Sequence, residues 1–345
     1  MGCLFSKTNS DKMDLEDNEE QEFSWDKRKK VDPNDFIIDK LVGETTVRLP
    51  GTADGQQFMI MNCKDSSIYI YNHLNTITID KCTNCKIFLG PTKGSVFLRD
   101  CENCQCVIAC QQFRTRDCKK IDTFLHCDTQ PIIESSVKMR FGCFQYYYKQ
   151  LAGQFRGAGI SPFNTNWSNI HDFTPVPEEE NWSLLPQNAK AEDYVPLPTT
   201  DEVKEMNLSL EISKSVVPLS IGNKNKPGSE ECLVAFFWCD GIDEIVLEFL
   251  NKARDGGFNL IQTKEVKIQP SEVPNLFGQN PKYEDASKRG DIIGIEFCGE
   301  STVQNVRKLV DEFSGRAVIF VSNSAEDGAT DVEKFFNFAD IQMAV

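Results

Sequence analysis

Between Asn62 and Cys127 one short unit recurs, and few folds can accommodate a chain that repeats itself at this interval. Aligned on cysteine, the copies read NCKDSSIYIY from Asn62, KCTNCKIFLG from Lys81, DCENCQCVIAC from Asp100 and DCKKIDTFLHC from Asp117. Their anchors, Cys63, Cys82, Cys101 and Cys118, stand 19, 19 and 17 residues apart. A period near 20 with one β-rich run per copy marks a solenoid, because so small a unit must share its core with the copies above and below. The third copy runs without a break into CQQFRTRDC, which sets Arg114 on this ladder beside a glutamine.

The same cysteines admit a second reading. Cys82-x-x-Cys85 followed by Cys101-x-x-Cys104 has spacing close to that of a four-thiolate zinc site. The second position of the pair, however, is Ser66 in the first copy and Ile121 in the fourth. A metal site does not tolerate that exchange, whereas a file of small buried side chains does, and free cysteine packs as a small hydrophobe. The ladder is the preferred reading and no metal is expected. Cys106, Cys110, Cys127 and Cys143 extend the same character.

At 345 residues the chain has room for about two domains. Fourteen cysteines without an apolar leader segment point to a reducing, cytosolic setting. The net charge of −15 argues against nucleic acid as a partner, since phosphate neutralisation needs a basic surface. The start, Met1-Gly2-Cys3-Leu4-Phe5-Ser6, fits N-myristoylation on Gly2. One such chain holds a membrane only marginally, and the seven acidic residues between Asp11 and Glu22 would be repelled by an anionic leaflet. Palmitoylation of Cys3 is therefore expected as the second anchor. Residues 8–24 have the composition of a disordered tail.

The expected organisation is an acylated tail over 1–24, a β-helix domain over 25–222, a linker over 223–230 and an α/β domain over 231–345. The aromatic stretch from Gln145 to Thr174 is expected to pack on an open edge or end of the solenoid. The proline-punctuated residues 174–227 read as a strap with one short helix, Asp201 to Met206. Beyond Glu231, strands at 232–238, 258–266, 292–297 and 317–321 alternate with helices near 242–253, 271–277, 303–313 and 332–338. That alternation predicts an α/β sandwich of ferredoxin-like type.

Together MGC at the start, the repeated cysteine pairs, ACQQFRTRDC, TQPIIESS, WSNIHDFTPV and FFNFADIQM resemble the tubulin-folding cofactor C family over nearly the whole chain. The resemblance implies a right-handed parallel β-helix followed by a nucleoside-diphosphate-kinase-like domain. It also implies a GTPase-activating protein for an Arl-type small GTPase in its GTP state, acting in ciliary traffic of lipidated proteins. The expected location is the cytoplasmic face of the plasma membrane and the ciliary base, with tubulin as a further possible partner. By match to the family's Q-x-x-R motif, Arg114 is the finger and Gln111 its companion, orienting either the attacking water or the GTPase's own glutamine. Glu134 and Phe173 match positions at the GTPase interface. No cofactor is implied.

The residues bear on these expectations independently. No GxxxxGK[ST] loop is present; Gly90-Pro91-Thr92-Lys93-Gly94-Ser95 has the wrong spacing. The chain is thus read as supplying an arginine in trans rather than hydrolysing nucleotide itself. His73, His126 and His171 all precede the C-terminal domain, which leaves that domain no phosphoacceptor histidine, so kinase activity is not expected. On the residues alone, Arg114 is equally a surface arginine paired with Asp117 or Glu134. Glu134 has an internal ion pair as its rival reading, and Phe173 ordinary packing. Arg116 is read as structural, paired to a carboxylate. Residues three apart on a flat strand also face opposite sides, so Gln111 and Arg114 share a face only if a corner lies between them. The alternative function is a non-catalytic, membrane-anchored effector or a tubulin-folding factor.

Overall fold

The structure, a computed structural model, describes residues 32–177, 180–228 and 230–343. Gly2, Cys3 and the whole tail 1–24 lie outside the described residues. From Phe36 onward the chain forms one compact unit.

Its first part is a parallel β-solenoid. One face, A, is built from β1 (Ile37–Asp39), β3 (Phe58–Met61), β5 (Ile77–Asp80), the second halves of β6 (Lys86–Arg99) and β7 (Gln105–Arg116), and β9 (Ile132–Glu134). Face B is built from β2 (Thr45–Arg48), β4 (Ser67–Ile70), the first halves of β6 and β7, β8 (Asp122–Cys127) and β10 (Met139–Cys143). In β6 and β7 the strand runs around the solenoid from face B to face A.

The turn between faces is made the same way in every coil. Asn62, Lys81, Asp100 and Asp117, each just before an anchor cysteine, have positive φ, and so do Asp65, Asn84, Asn103 and Lys120 three residues later. The left-handed conformation suits Asn and Asp, whose side chains hydrogen-bond locally. Here they also stack: Asn103 Nδ2 donates to Asn84 Oδ1 (2.7 Å), and Asn84 Nδ2 to Asp65 Oδ1 (2.8 Å).

A small side chain follows each of these left-handed residues except Lys120, and these form the cysteine ladder. Cys85, Cys104 and Cys118 thiols donate to the carbonyls of Thr83, Glu102 and Arg116, each two residues back, at 3.4, 3.5 and 3.4 Å. Ser66 and Ser136 hydroxyls do the same to Lys64 and Glu134, both at 2.8 Å. Both positions, the anchor one of Cys118 and Ser136 and the second one of Ser66, Cys85 and Cys104, therefore suit a small side chain with one donor, which cysteine and serine both supply. Ile121 fills its place in the file by apolar packing alone. Among the described residues no group of three or more His, Cys, Asp or Glu is arranged to hold a metal ion. Burial pushes the Cys106 and Cys110 thiols well above the ordinary thiol range.

The outer surfaces of the two faces differ. Face B is covered: Tyr69, Tyr71, Phe88, Val107 and Phe124 pack under Tyr146, Tyr148 and Phe155 of α1 (Leu151–Ala158), then under the strap through Val195, Val203 and Val217. The aromatic stretch thus covers a broad face rather than only an edge or end. It is also divided, since Trp167 joins the solenoid interior, Phe163 enters the C-terminal core and Phe173 stays exposed. β11 (His171–Asp172) precedes the strap, which carries β12 (Trp182–Leu184), α2 (Ala191–Tyr194) and the expected short helix over Asp201–Met206, of 3-10 type.

The second part is a four-stranded antiparallel sheet of β13 (Glu230–Phe237), β14 (Asn259–Val266), β15 (Ile292–Gly299) and β16 (Ile319–Val321), in the order β14-β15-β13-β16. With α3 (Ile242–Asp255) after β13 and α6 (Thr302–Asp311) after β15, this is the ferredoxin-like order. Two short helices, α4 (Val273–Phe277) and α5 (Pro281–Ser287), lie between β14 and β15, where only one was expected. The last helix, α7 (Ala325–Met343), starts seven residues earlier than the sequence pattern predicts. Ser324 caps it, accepting from the Asp327 N–H (3.2 Å) and donating to Asp327 Oδ2 (2.9 Å).

Edge strand β14 is joined to the solenoid by the segment after α1. Thr165 N–H donates to Thr263 O (3.1 Å), Thr263 N–H to Thr165 Oγ1 (2.9 Å) and Glu265 N–H to Asn164 Oδ1 (2.9 Å). Pairing the edge in this way removes an aggregation hazard and ties the two parts together.

The turn ladder yields a stability prediction. Asn84→Val should lower unfolding free energy by about 1–3 kcal/mol, because a β-branched residue is strained at positive φ. Asn84→Gly should lose only the side-chain hydrogen bonds, and urea unfolding of the two variants measures the difference.

Candidate functional site

Strand β7 carries Arg114 around a corner. Cys106, Ile108 and Cys110 point into the solenoid core, while Val107 and Ala109 lie on covered face B. The next core residue is Phe113, three positions after Cys110 instead of two. The pairing with β6 slips at the same place, from Leu89↔Ile108 through Thr92↔Cys110 to Ser95↔Gln112. The inside–outside alternation therefore changes phase at Gln111–Gln112. Gln111 and Arg114 both face outward as a result, which a flat strand would forbid.

Neighbouring coils hold the Arg114 backbone from both sides. It lies in register between Phe97 of β6 and Ile132 of β9. Phe113 beneath it is fully buried and meets Phe141 edge-on at 5.9 Å. Thr115 Oγ1 donates to Ser136 Oγ at 3.1 Å in the interior.

The Arg114 side chain, by contrast, has no carboxylate partner among the described residues. Its single hydrogen bond is Nη2 to Gln112 Oε1 at 3.5 Å, and Gln112 is itself held by the Ser95 hydroxyl at 2.9 Å. Asp117 pairs instead with Arg116 Nε at 3.5 Å. Glu134 stands opposite Arg116 in register, yet makes no ion pair among the described residues. Phe173 is 60 % exposed, touched edge-on by His171 at 4.5 Å and fixed through its backbone N–H to Ile133 O at 3.0 Å. The rival readings of Arg114, Glu134 and Phe173 as internally engaged side chains are thus not what the structure contains.

Arg114, Glu134 and Phe173 come together with Phe97, Arg99 and Arg116 around a cleft of ≈ 160 Å³ on the uncovered face A. Arg114 also borders a larger cleft of ≈ 440 Å³ with Gln112, Thr129, Gln130, Asn166, Asn169 and Asp340. It stands on the ridge between the two. Gln111 is exposed at the corner, its backbone carbonyl accepting from the Thr129 N–H (3.0 Å) and hydroxyl (2.9 Å), and no hydrogen bond joins it to Arg114. Gln112, which sequence reasoning passed over, is the glutamine that touches the guanidinium. The only signal for it was the Gln-Gln doublet, which does not reveal where the alternation changes phase.

The Gly90–Ser95 segment is the third side of a coil and not a phosphate loop. A Cβ on Gly90 would lie 2.3 Å from the Asn72 carbonyl oxygen, so the glycine is there for close backbone approach.

The tubulin binding cofactor C family matches residues 55–173, a span that holds every one of these face A residues. Human Protein XRP2 is 49 % identical and aligns over 100 % of both chains. The chain belongs to the XRP2 family. The human tubulin-specific chaperone C is 30 % identical over 134 residues, 38 % of each chain. A nucleoside diphosphate kinase from Aquifex aeolicus aligns with 33 % of this chain and 97 % of its own at 15 % identity and a TM-score of 0.28. The strand order of the C-terminal sheet stands on its own pairing, independently of that likeness.

Two neighbours on β7 should respond oppositely to truncation. Phe113→Ala is expected to lower unfolding free energy by about 3–5 kcal/mol through a core cavity. Arg114→Ala should change it by no more than about 0.5 kcal/mol, since that side chain supports nothing in the fold. Chemical denaturation of both variants is the check.

Proposed function

We propose that this chain is a GTPase-activating protein that inserts Arg114 into the active site of an Arl-type small GTPase in its GTP state. The observation that carries the reading is an exposed arginine, unpaired with any described carboxylate, on a backbone clamped between two coils. GTP hydrolysis passes through a loose transition state with charge spread over the phosphoryl oxygens, so its catalysis is mostly positioning and electrostatic stabilisation. A guanidinium on a rigid support meets that need, because less of the approach has to be ordered during the reaction. Gln112 steadies the guanidinium, Gln111 at the corner reaches toward the attacking water or the GTPase's own glutamine, and Glu134 and Phe173 flank the contact. The chain itself is then neither a GTPase nor a kinase.

Around this activity we place Gly2 and Cys3 as myristoylated and palmitoylated anchors, holding the chain at the cytoplasmic face of the plasma membrane and at the ciliary base. There it would act in traffic of lipidated proteins. The likeness to a tubulin-specific chaperone supports a second reading, a tubulin-folding factor or non-catalytic adaptor using the same face.

Single-turnover GTP hydrolysis by an Arl-type GTPase separates these. Wild type should accelerate it by about 10³–10⁵-fold, and Arg114→Ala should abolish the acceleration while the GTP-state complex still forms. Complex formation without acceleration by wild type would leave only the adaptor reading. For the anchor, Gly2→Ala should move the chain from the membrane fraction to the soluble fraction of expressing cells, and intact-mass measurement should show both acyl groups lost, since the second is added at the membrane.

A further inference from the structure

The larger cleft at Arg114 has two walls. The solenoid supplies one through Gln112, Arg114 and Gln130, whose Nε2 donates to Asn169 Oδ1 at 3.2 Å. The C-terminal part supplies the other through Asp340, near the end of α7. Nothing in the sequence gave the C-terminal domain a role at this site.

Both walls are fixed. Helix α7 packs so closely on the sheet that a Cβ on Gly294 would lie 2.0 Å from the Phe335 ring. Asp340 is held by an ion pair with Lys264 of β14, a lysine only 1 % exposed whose pKa burial draws down to about 8. Residue Thr263 of the same strand is hydrogen-bonded to Thr165, which leads directly into Asn166 and Asn169 of the cleft. The cleft width is thus set by one continuous set of contacts from Asp340 through Lys264 and Thr263 to the solenoid.

The far wall is open to a partner. Asp340 keeps 54 % of its side chain exposed despite its pair with Lys264. Ile341 beside it is 66 % exposed, the most exposed large hydrophobic side chain among the described residues. An acid therefore lines the cleft that Arg114 borders, and the next residue of the helix presents an exposed apolar side chain outside that lining.

We propose that the end of α7 is a second docking wall for the same GTPase, with Asp340 accepting from a basic or amide group of the partner and Ile341 packing on its surface. The inference rests on the activator reading and extends it: the C-terminal domain contributes recognition while Arg114 contributes catalysis. Continuity with the Arg114 cleft argues for one partner seated across both walls rather than a separate ligand.

The test splits affinity from rate. With an Arl-type GTPase under single-turnover conditions, Asp340→Ala and Ile341→Glu should each raise the half-saturating concentration of this protein about tenfold, as loss of an interface contact does, with the maximal rate within about twofold of wild type. Arg114→Ala should show the reverse pattern. Asp340→Ala leaves Lys264 buried without its partner, so unfolding curves accompany it; Ile341→Glu alters only an exposed side chain and carries the test if the other variant unfolds. A folded Ile341→Glu protein with unchanged half-saturation would overturn the inference while leaving the activator reading intact. Should wild type bind the GTPase without accelerating hydrolysis, the activator reading fails alone, and titration of the GTPase loaded with a fluorescent non-hydrolysable GTP analogue still decides the docking wall by the same two variants. No binding by wild type would overturn both.

Discussion

Parallel coils can stack only if each one turns at the same height, because the backbone groups of every turn are satisfied by the turns above and below it. Here two left-handed residues three apart make that turn in coil after coil, from Asn62 and Asp65 to Asp117 and Lys120. Backbone bonds climb through the turns, Lys81 N–H to Arg99 O at 3.0 Å and Asp100 N–H to Arg116 O at 3.2 Å. The thiols and hydroxyls that follow the left-handed residues take up further carbonyls. Once these turns are locked, the strands on both faces have no freedom of register, and the position of any outward side chain is determined by the coil it belongs to.

The solenoid was legible in the sequence because its unit repeats, whereas the left-handed pairs that turn each coil were not read from it. Steps of 19, 19 and 17 residues on a cysteine anchor point to stacked coils, and Ser66 and Ile121 at the second cysteine position turn the pattern away from zinc. The C-terminal sheet was legible for a different reason: α3 has a single apolar stripe, Ile242, Ile245, Val246, Phe249, Leu250 and Ala253, and the strands around it are short apolar runs. The start of α7 was missed because its first turns carry polar and small residues, and the Ser324 cap that sets the boundary leaves little trace in an apolar pattern.

The site was legible only in part. Arg114, Glu134 and Phe173 converge on one cleft, but their freedom from internal partners depends on Arg116 taking Asp117, which sequence spacing leaves undecided between the two arginines. The phase change at Gln111–Gln112 is set by the slipped register between β6 and β7, a relation between coils that no local stretch contains. The contribution of Asp340 is more remote still, lying 226 positions from Arg114 and arriving through the pairing of β14 with the segment after α1.

Two arginines of the solenoid are held very differently. Arg140, on β10 of the covered face, donates from Nε and Nη2 to both oxygens of buried Asp122, each at 2.6 Å. That fork takes two of the guanidinium's five N–H donors and compensates its charge on a buried carboxylate. Arg114 has the same side chain on an equally constrained strand, yet keeps only a 3.5 Å contact to Gln112. An amide can orient a guanidinium without neutralising it, so the Arg114 charge stays uncompensated. Each arginine carries about 2 kcal/mol of rotamer entropy, which Arg140 has already surrendered to the fold. In Arg114 the backbone is ordered and the side chain is only guided, so it keeps most of that freedom. The covering of face B and the bareness of face A are thus one design: the coils that bury Arg140's carboxylate partner are the same ones that hold Arg114 out.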